Sequence, residues 1–200
     1  MAYRHHDQNN IACTVGFKMG VAIQANHRSK KRIIMNVVEP SMDMVDAYKD
    51  YVQDCFDQGV SHYEEATENP QEALQSIIDA ATGENLPEGY LPYKTYFAVE
   101  DGQISGAIRY RLGTNEFCEN VIGHIGYETR PSRRKAGVAT FLYTHVVKNC
   151  LHGRALVMCT IDNLGSVKVI ESLPHRILGE AYNDHEQAII RTYEVESPIV

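Results

Sequence analysis

The stretch GHIGYETRPSRRKAGVAT, residues 123–140, constrains this chain more than any other. A strand-like apolar run ends there in four basic residues within positions 130–135, and small residues and a helical pattern follow at once. The first N–H groups of a helix have no partner inside the helix and carry the positive end of its dipole. Small residues at such a helix start allow close approach, so the stretch favours a phosphate site.

The positive charge of this stretch has a simpler alternative, since a basic run often only solvates a loop. Its position between a β-branched strand and an amphipathic helix favours binding instead, with Arg133, Arg134 and Lys135 as mobile charges. The stretch follows neither the G-x-x-x-x-G-K-[ST] nor the G-x-G-x-x-G spacing. We therefore expect a pyrophosphate site of another kind.

The composition excludes several classes of protein. Two hundred residues with 44% hydrophobic content suit one compact domain, and a net charge of -7 argues against a general nucleic-acid-binding surface. No run of 18 apolar residues exists, so no membrane span is expected. The five scattered cysteines form no C-x-x-C pair, which predicts reduced thiols, no metal site and a cytoplasmic location.

The start of the chain is expected to lie outside the domain. Met35 opens the stretch MNVVEPSMD, which is typical of a natural first strand. We therefore expect residues 1–31 to be a poorly ordered extension, or the product of a start codon chosen too far upstream, and residues 32–200 to form the domain.

Hydrophobic periodicity gives the order of the elements. The predicted strands are 33–38, 95–99, 104–112, 121–129, 155–161, 177–181 and 187–195. The predicted helices are 44–56, 69–81, 138–150 and 166–173. This order predicts an α/β or α+β fold, with helices on both faces of one sheet.

Several motifs together resemble the GNAT superfamily of N-acetyltransferases. The stretch RPSRRKAGVATFLYTHVV is similar to its acyl-CoA-binding motif, Gln/Arg-x-x-Gly-x-Gly/Ala, with Arg134, Gly137 and Ala139 at the three defined positions. The family also places an Asn and a Ser after its fifth strand, where Asn163 and Ser166 stand. The resemblance covers about residues 33–195 and is greatest to a bacterial branch of predicted acetyltransferases.

The resemblance implies a fold and a cosubstrate. The fold is a mixed, mostly antiparallel central sheet of about seven strands, in which the fourth and fifth strands splay apart. The cosubstrate is acetyl-CoA, whose pantetheine arm would lie along Tyr127, Glu128 and Thr129. The residues expected at its pyrophosphate, and those expected after the fifth strand, are Arg134, Lys135, Ala136, Gly137, Val138, Ala139, Thr140, Asn163 and Ser166.

Two residues of the fourth strand are candidates for the general base that deprotonates an attacking amine. His124 titrates near neutrality, and Glu128 could act directly or through water. Each has a structural alternative. His124 could be an ordinary hydrogen-bonded strand residue, and Glu128 could pair with Arg130 or Arg109.

The sequence offers several candidates for the general acid. Many members of the family carry a tyrosine seven residues after the Asn, where this chain has Ile170. Tyr143, Tyr182 or water could protonate the leaving thiolate instead, or no acid is needed.

Two functions follow from these observations. The first is transfer of acetyl from acetyl-CoA to a primary amine of a small molecule or peptide, by direct attack. The alternative is a non-catalytic acyl-CoA-binding or sensory module, which the missing tyrosine favours. An acidic first helix could favour a cationic amine, although a solvated helix face is the better explanation, and a homodimer is left open. The acidic residues are Asp43, Asp46, Asp50, Asp54 and Asp57.

Overall fold

Seven strands form one sheet in the order β1-β2-β3-β4-β5-β7-β6 in the computed structural model of the protein, which describes residues 34–198. The strands are β1 (Met35–Val38), β2 (Tyr93–Glu100), β3 (Gln103–Arg111), β4 (Ile125–Thr129), β5 (Arg154–Thr160), β6 (Arg176–Asn183) and β7 (Ala188–Glu196). The helices are α1 (Val45–Asp57), α2 (Glu64–Glu68), α3 (Pro70–Asp79), α4 (Val138–Asn149) and α5 (Leu164–Ile170). The predicted extension, residues 1–31, lies outside the described residues.

All neighbouring strands are antiparallel except β4 and β5, which run parallel. Helices α1, α2 and α3 pack on one face of the sheet around Tyr51, Leu74 and Phe97. Helix α4 covers the other face, where Leu142 and Val146 are fully buried. The predicted seven-stranded, mostly antiparallel sheet with helices on both faces is confirmed.

Local chemistry explains the ends of several elements. The β2–β3 hairpin turns at Asp101 and Gly102, which have φ angles of 47° and 80°. A two-residue hairpin of this kind needs positive φ at both positions, and Asp-Gly provides it. Helix α3 begins with Pro70, whose missing N–H is not needed in the first turn.

The predicted start of β4 at residue 121 is wrong. The segment Cys118–Ile122 forms a single π-helical turn, and β4 begins at Ile125. Gly123 reverses the chain between them with a φ of 69°. A β-carbon there would lie 3.0 Å from the carbonyl oxygen of Leu156, so the residue fits only because glycine can approach β5 closely. Helix α2 was not predicted because its five residues are too few to show a period.

Strands β4 and β5 meet at one point and then separate. Ile125 opposite Val157 is the one residue pair in register between them within residues 34–198. The N–H of His124 donates to the carbonyl of Leu156 at 2.6 Å just before this pair. Beyond Ile125, the β5-facing edge of β4 is therefore left without a strand partner, as the predicted splay requires.

Candidate active site

A groove of about 780 Å³ lies between β4, the loop that precedes α4, and α5. All of the predicted cosubstrate residues except Ala136 line it, although nothing in their sequence spacing alone requires this. The predicted residues along the groove are Tyr127, Glu128, Thr129, Arg134, Lys135, Gly137, Val138, Ala139, Thr140, Asn163 and Ser166. One concave surface thus joins segments that are separated in sequence by the whole of α4 and β5.

The start of α4 presents unpaired backbone N–H groups to this groove. The first bond of the helix runs from the N–H of Phe141 to the carbonyl of Gly137, at 2.9 Å. In the part of the chain that the structure describes, the N–H groups of Val138, Ala139 and Thr140 donate to no acceptor. A β-carbon at Gly137 would have no atom within 4 Å, so the approach to these groups is open. The helix start therefore fits a pyrophosphate.

The basic cluster divides into two pairs with different surroundings. The Arg130 guanidinium donates to Asp54 on α1 at 2.6 Å, and Arg133 pairs with the buried Glu100 at the end of β2. Both side chains hold the loop against the domain, so the prediction that Arg133 is a mobile charge is wrong. Arg134 and Lys135 remain at the groove, where cationic side chains can meet phosphate oxygens.

Asp54 is consequently not available to attract a cationic amine. Burial alone would raise the pKa of this carboxyl, but hydrogen bonds from Ser132 and Arg130, together with the Arg130 charge, hold the pKa below its usual range. The most buried charge of the acidic α1 face therefore belongs to the scaffold of the loop.

Helix α5 closes the groove opposite β4. The side-chain oxygen of Asn163 caps this helix by accepting the N–H of Ser166 at 3.0 Å. The hydroxyl of Tyr127 donates to the carbonyl of Ser166 at 3.3 Å, which joins β4 to α5 across the splay. Sequence reasoning missed four further lining residues of α5, although their place in the same short helix as Ser166 was a usable signal. They are Leu164, Gly165, Lys168 and Val169.

Glu128 lies at the groove, and its pairing differs from the alternatives considered from sequence. Neither Arg130 nor Arg109 is within 4.0 Å of it, and its one ion pair among the described residues is a contact of 3.5 Å with Arg134. Its side chain is 30% exposed and also accepts the N–H of Thr129. The carboxylate is therefore accessible and only weakly paired.

His124 lies at the junction of β4 and β5 and does not line the groove. Its ring Nδ1 accepts the N–H of Leu156 at 3.0 Å, and the residue is only 8% exposed. Burial lowers the pKa of the imidazole. The ring could accept a proton at Nδ1 only by giving up this hydrogen bond.

Three tyrosines and Ile170 occupy the positions considered for the group that protonates the leaving thiolate. Ile170 and Tyr143 are fully buried, and Tyr182 is 59% exposed on β6 and bonded to Gln187. Tyr127 is the tyrosine that lines the groove. Burial raises the pKa of Tyr127, so its phenol keeps its proton at neutral pH.

Residues 34–198 contain neither a candidate metal cluster nor a membrane-spanning helix. No group of three or more His, Cys, Asp or Glu side chains there could hold a metal ion. Within the same residues, no helix has both the length and the hydropathy to cross a membrane.

A splayed sheet with an open helix start beside it suits a ligand that carries both a pyrophosphate and an extended arm. The sequence matches the Acetyltransferase (GNAT) family over residues 46–173, and the chain belongs to this family. The predicted resemblance and the predicted class of enzyme, an acetyltransferase with acetyl-CoA as cosubstrate, are thereby confirmed. No curated protein matches the sequence.

Solved structures share this fold at low sequence identity. RimL, the ribosomal L7/L12 alpha-N-protein acetyltransferase in complex with coenzyme A, is 17% identical with a TM-score of 0.59, over 82% of this chain and 94% of that chain. MccE, the microcin C7 self-immunity acetyltransferase in complex with acetyl-CoA and AMP, is 11% identical with a TM-score of 0.61, over 81% and 92%. RimJ of Mycobacterium smegmatis is 14% identical with a TM-score of 0.60, over 82% and 84%.

Proposed function

We propose that this protein transfers the acetyl group of acetyl-CoA to a primary amine, carried by a small molecule or a peptide. The observation that supports this most directly is the groove itself. Free N–H groups at the start of α4 meet an unpaired edge of β4 there, and an accessible carboxylate stands beside them. RimL and MccE, which share the fold, are acetyltransferases in complex with coenzyme A and acetyl-CoA.

Binding of the acetyl donor, acetyl-CoA, depends mainly on backbone groups. The N–H groups of Val138, Ala139 and Thr140 would hold the pyrophosphate, with Arg134 and Lys135 adding charge. Backbone N–H and C=O groups of β4 from residue 127 to 129 would pair with the pantetheine arm. Such fixed dipoles can also polarise a thioester carbonyl without reorganising during the reaction.

The amine attacks the thioester directly. The protein accepts one proton from the amine and donates one proton to the leaving sulfur. Glu128 takes a proton from the amine, directly or through water, and the nitrogen lone pair attacks the thioester carbon. A C–N bond forms and the C–S bond breaks, so that the sulfur leaves with the bonding electron pair. The hydroxyl of Tyr127, a residue of the groove, would supply the proton that the sulfur takes up and would give up its hydrogen bond to the Ser166 carbonyl to do so.

A non-catalytic acyl-CoA-binding module is the second candidate, because the buried Ile170 stands where many relatives carry a proton donor. Such a module would bind acetyl-CoA but release no thiol with any amine. An enzyme would do both, so binding and turnover have to be measured on the same preparation.

The test is release of free thiol from acetyl-CoA over a panel of amines. With an accepted amine, Glu128→Gln should lower kcat by about 100-fold to 10,000-fold, the usual contribution of a general base. The matched control is Glu119→Gln, because Glu119 contacts Arg154 at 3.4 Å much as Glu128 contacts Arg134. In the same assay, Tyr127→Phe should lower kcat by at least about tenfold.

One result would overturn the proposed function, and another would overturn the assignment of its general base. Binding of acetyl-CoA without thiol release across the panel would support the binding module. Full activity of Glu128→Gln would remove Glu128 as the base and return the role to His124 or to water.

A further inference from the structure

Two arginines stand on the face of β3 that points toward α1. Arg109 and Arg111 are two positions apart in the strand, so their side chains project on the same side. Arg109 lies opposite Gly126 of β4, and Glu128 is two residues further along that strand. This face is the extension of the core that Phe97 and Ala107 form with α1. The arginines therefore lie beside β4 on the side away from α4.

These two side chains are half-buried but have no acidic partner. Neither guanidinium is within 4.0 Å of a carboxylate among residues 34–198, whereas Arg130, Arg133 and Arg134 each have one. Burial lowers the pKa of Arg111, and the charge of Arg109 lowers it further. Two half-buried cations on one sheet face are costly unless something anionic joins them.

Open space lies beside Arg111, and a buried polar group lies beside Arg109. A β-carbon at Gly126 would meet just one atom within 4 Å in the described part of the chain, Nη1 of Arg111 at 3.8 Å. The same Nη1 donates to the carbonyl of Gly123 at 3.2 Å, which fixes its direction. Beside Arg109 on β2, Thr95 is only 4% exposed, and its hydroxyl has no hydrogen-bond partner among the described residues.

On this face, Nη1 of Arg111 lies beside Gly126, Arg109 is the cross-strand neighbour of Gly126, and Glu128 stands two residues further along β4. Diagonal neighbours on antiparallel strands, such as Arg109 and Glu128, are about 7–8 Å apart. A ligand that spans them would carry opposite charges a few bonds apart.

We propose that the acceptor amine carries an anionic group, a carboxylate or a phosphate, and that Arg109 and Arg111 bind this group while Glu128 receives the proton of the amine. The inference rests on the proposed function, since it assigns the acceptor of the same reaction. Guanidinium groups suit both anions, because their N–H donors match paired oxygens. The acceptor class is therefore an acidic amine rather than the cationic amine that the acidic residues of α1 had suggested.

Anion binding can be measured without turnover. Succinate and inorganic phosphate are titrated separately, by calorimetry, into protein saturated with coenzyme A, which keeps phosphate out of the donor groove. We expect at least one of the two anions to bind and Arg109→Gln to weaken that binding by at least about tenfold. Lys94→Gln is the matched control, since it removes one positive charge from the neighbouring strand at a side chain that is 46% exposed. If Arg109→Gln does not fold, Arg109→Lys tests the paired geometry while keeping the charge.

Turnover then tests the acceptor class with pairs of amines that differ in one charge. β-Alanine is compared with β-alaninamide, and phosphoethanolamine with ethanolamine. The anionic member of at least one pair should have a kcat/KM about tenfold to 100-fold higher, and Arg109→Gln should abolish that advantage.

The outcomes separate this inference from the proposed function. Failure of both anions to bind, or equal binding by wild type and Arg109→Gln, overturns the anion site. Equal use of the neutral and anionic amines does the same and leaves the acetyltransferase intact. Anion binding that depends on Arg109, without thiol release from any amine, overturns the catalytic function and leaves the anion site standing.

Discussion

Replacing Gly106 with alanine should damage both the stability of the fold and the donor groove. Gly106 lies on β3 beneath the start of α4 and opposite Thr129 of β4. A β-carbon there would lie 2.8 Å from Cγ1 of Val138 and 2.9 Å from the carbonyl oxygen of Glu128. Both distances are shorter than real β-carbon contacts allow, so α4, β4 or both must move.

The loss of unfolding free energy in Gly106→Ala depends on which of the neighbouring atoms can move. The Glu128 oxygen belongs to the backbone of a paired strand, and Val138 is a β-branched residue with few rotamers in a helix. Inserting a methyl group into such packing costs about 1–3 kcal/mol of unfolding free energy. For a domain of this size, a loss of about 2 kcal/mol lowers Tm by about 4–8 °C.

The assay is thermal denaturation with and without acetyl-CoA. We expect Gly106→Ala to melt lower than wild type and to gain less from the ligand, because Val138 carries one of the free N–H groups. The control is Gly126→Ala, a strand glycine with open space above it, which should melt within about 1 °C of wild type and keep the full ligand shift. Equal Tm values for the two variants would show that the packing of β3 against α4 is not tight, and the reasoning would fail.

Two further predictions concern the site itself. Gly137→Glu should remove the rise in Tm that acetyl-CoA causes, because it adds bulk and negative charge at the phosphates. Gly59→Glu controls for backbone strain, since Gly59 has a φ of 85° against 83° for Gly137 and lies outside the groove; an undiminished ligand shift in Gly137→Glu would refute the pyrophosphate site. His124→Asn should keep kcat within about threefold, because the asparagine oxygen can still accept the N–H of Leu156. A folded His124→Asn protein that has lost activity by 100-fold or more would instead identify the histidine as the base.

The donor groove could be predicted because its signal is local. Arg134, Gly137 and Ala139 stand within six consecutive residues, and their role depends on a strand and a helix that adjoin them. Short-range patterns of this kind are visible in one sequence. Element types were predictable for the same reason, as periodicity is a property of neighbouring residues.

The parts that were missed depend on contacts between distant residues. Arg130 and Asp54 are separated by 76 positions, so nothing in the sequence divides the basic cluster into structural and groove-facing charges. The start of β4 depends on how closely Gly123 approaches β5, which is a tertiary contact. The sequence places Arg109 and Arg111 two positions apart in a predicted strand, and therefore on one face of it. Their lack of acidic partners is visible only in the three-dimensional structure.

The separation of β4 from β5 also affects how this sheet is protected from unwanted association. An unpaired strand at the rim of a sheet is open to pairing with any other extended chain. The unpaired edge of β4 instead lies in the middle of the sheet, and the Tyr127–Ser166 hydrogen bond joins it to α5 across the gap. These backbone groups open onto the groove between β4 and α5 rather than onto the rim of the sheet. The fold thus keeps an unpaired edge available to a bound molecule without adding an exposed edge strand.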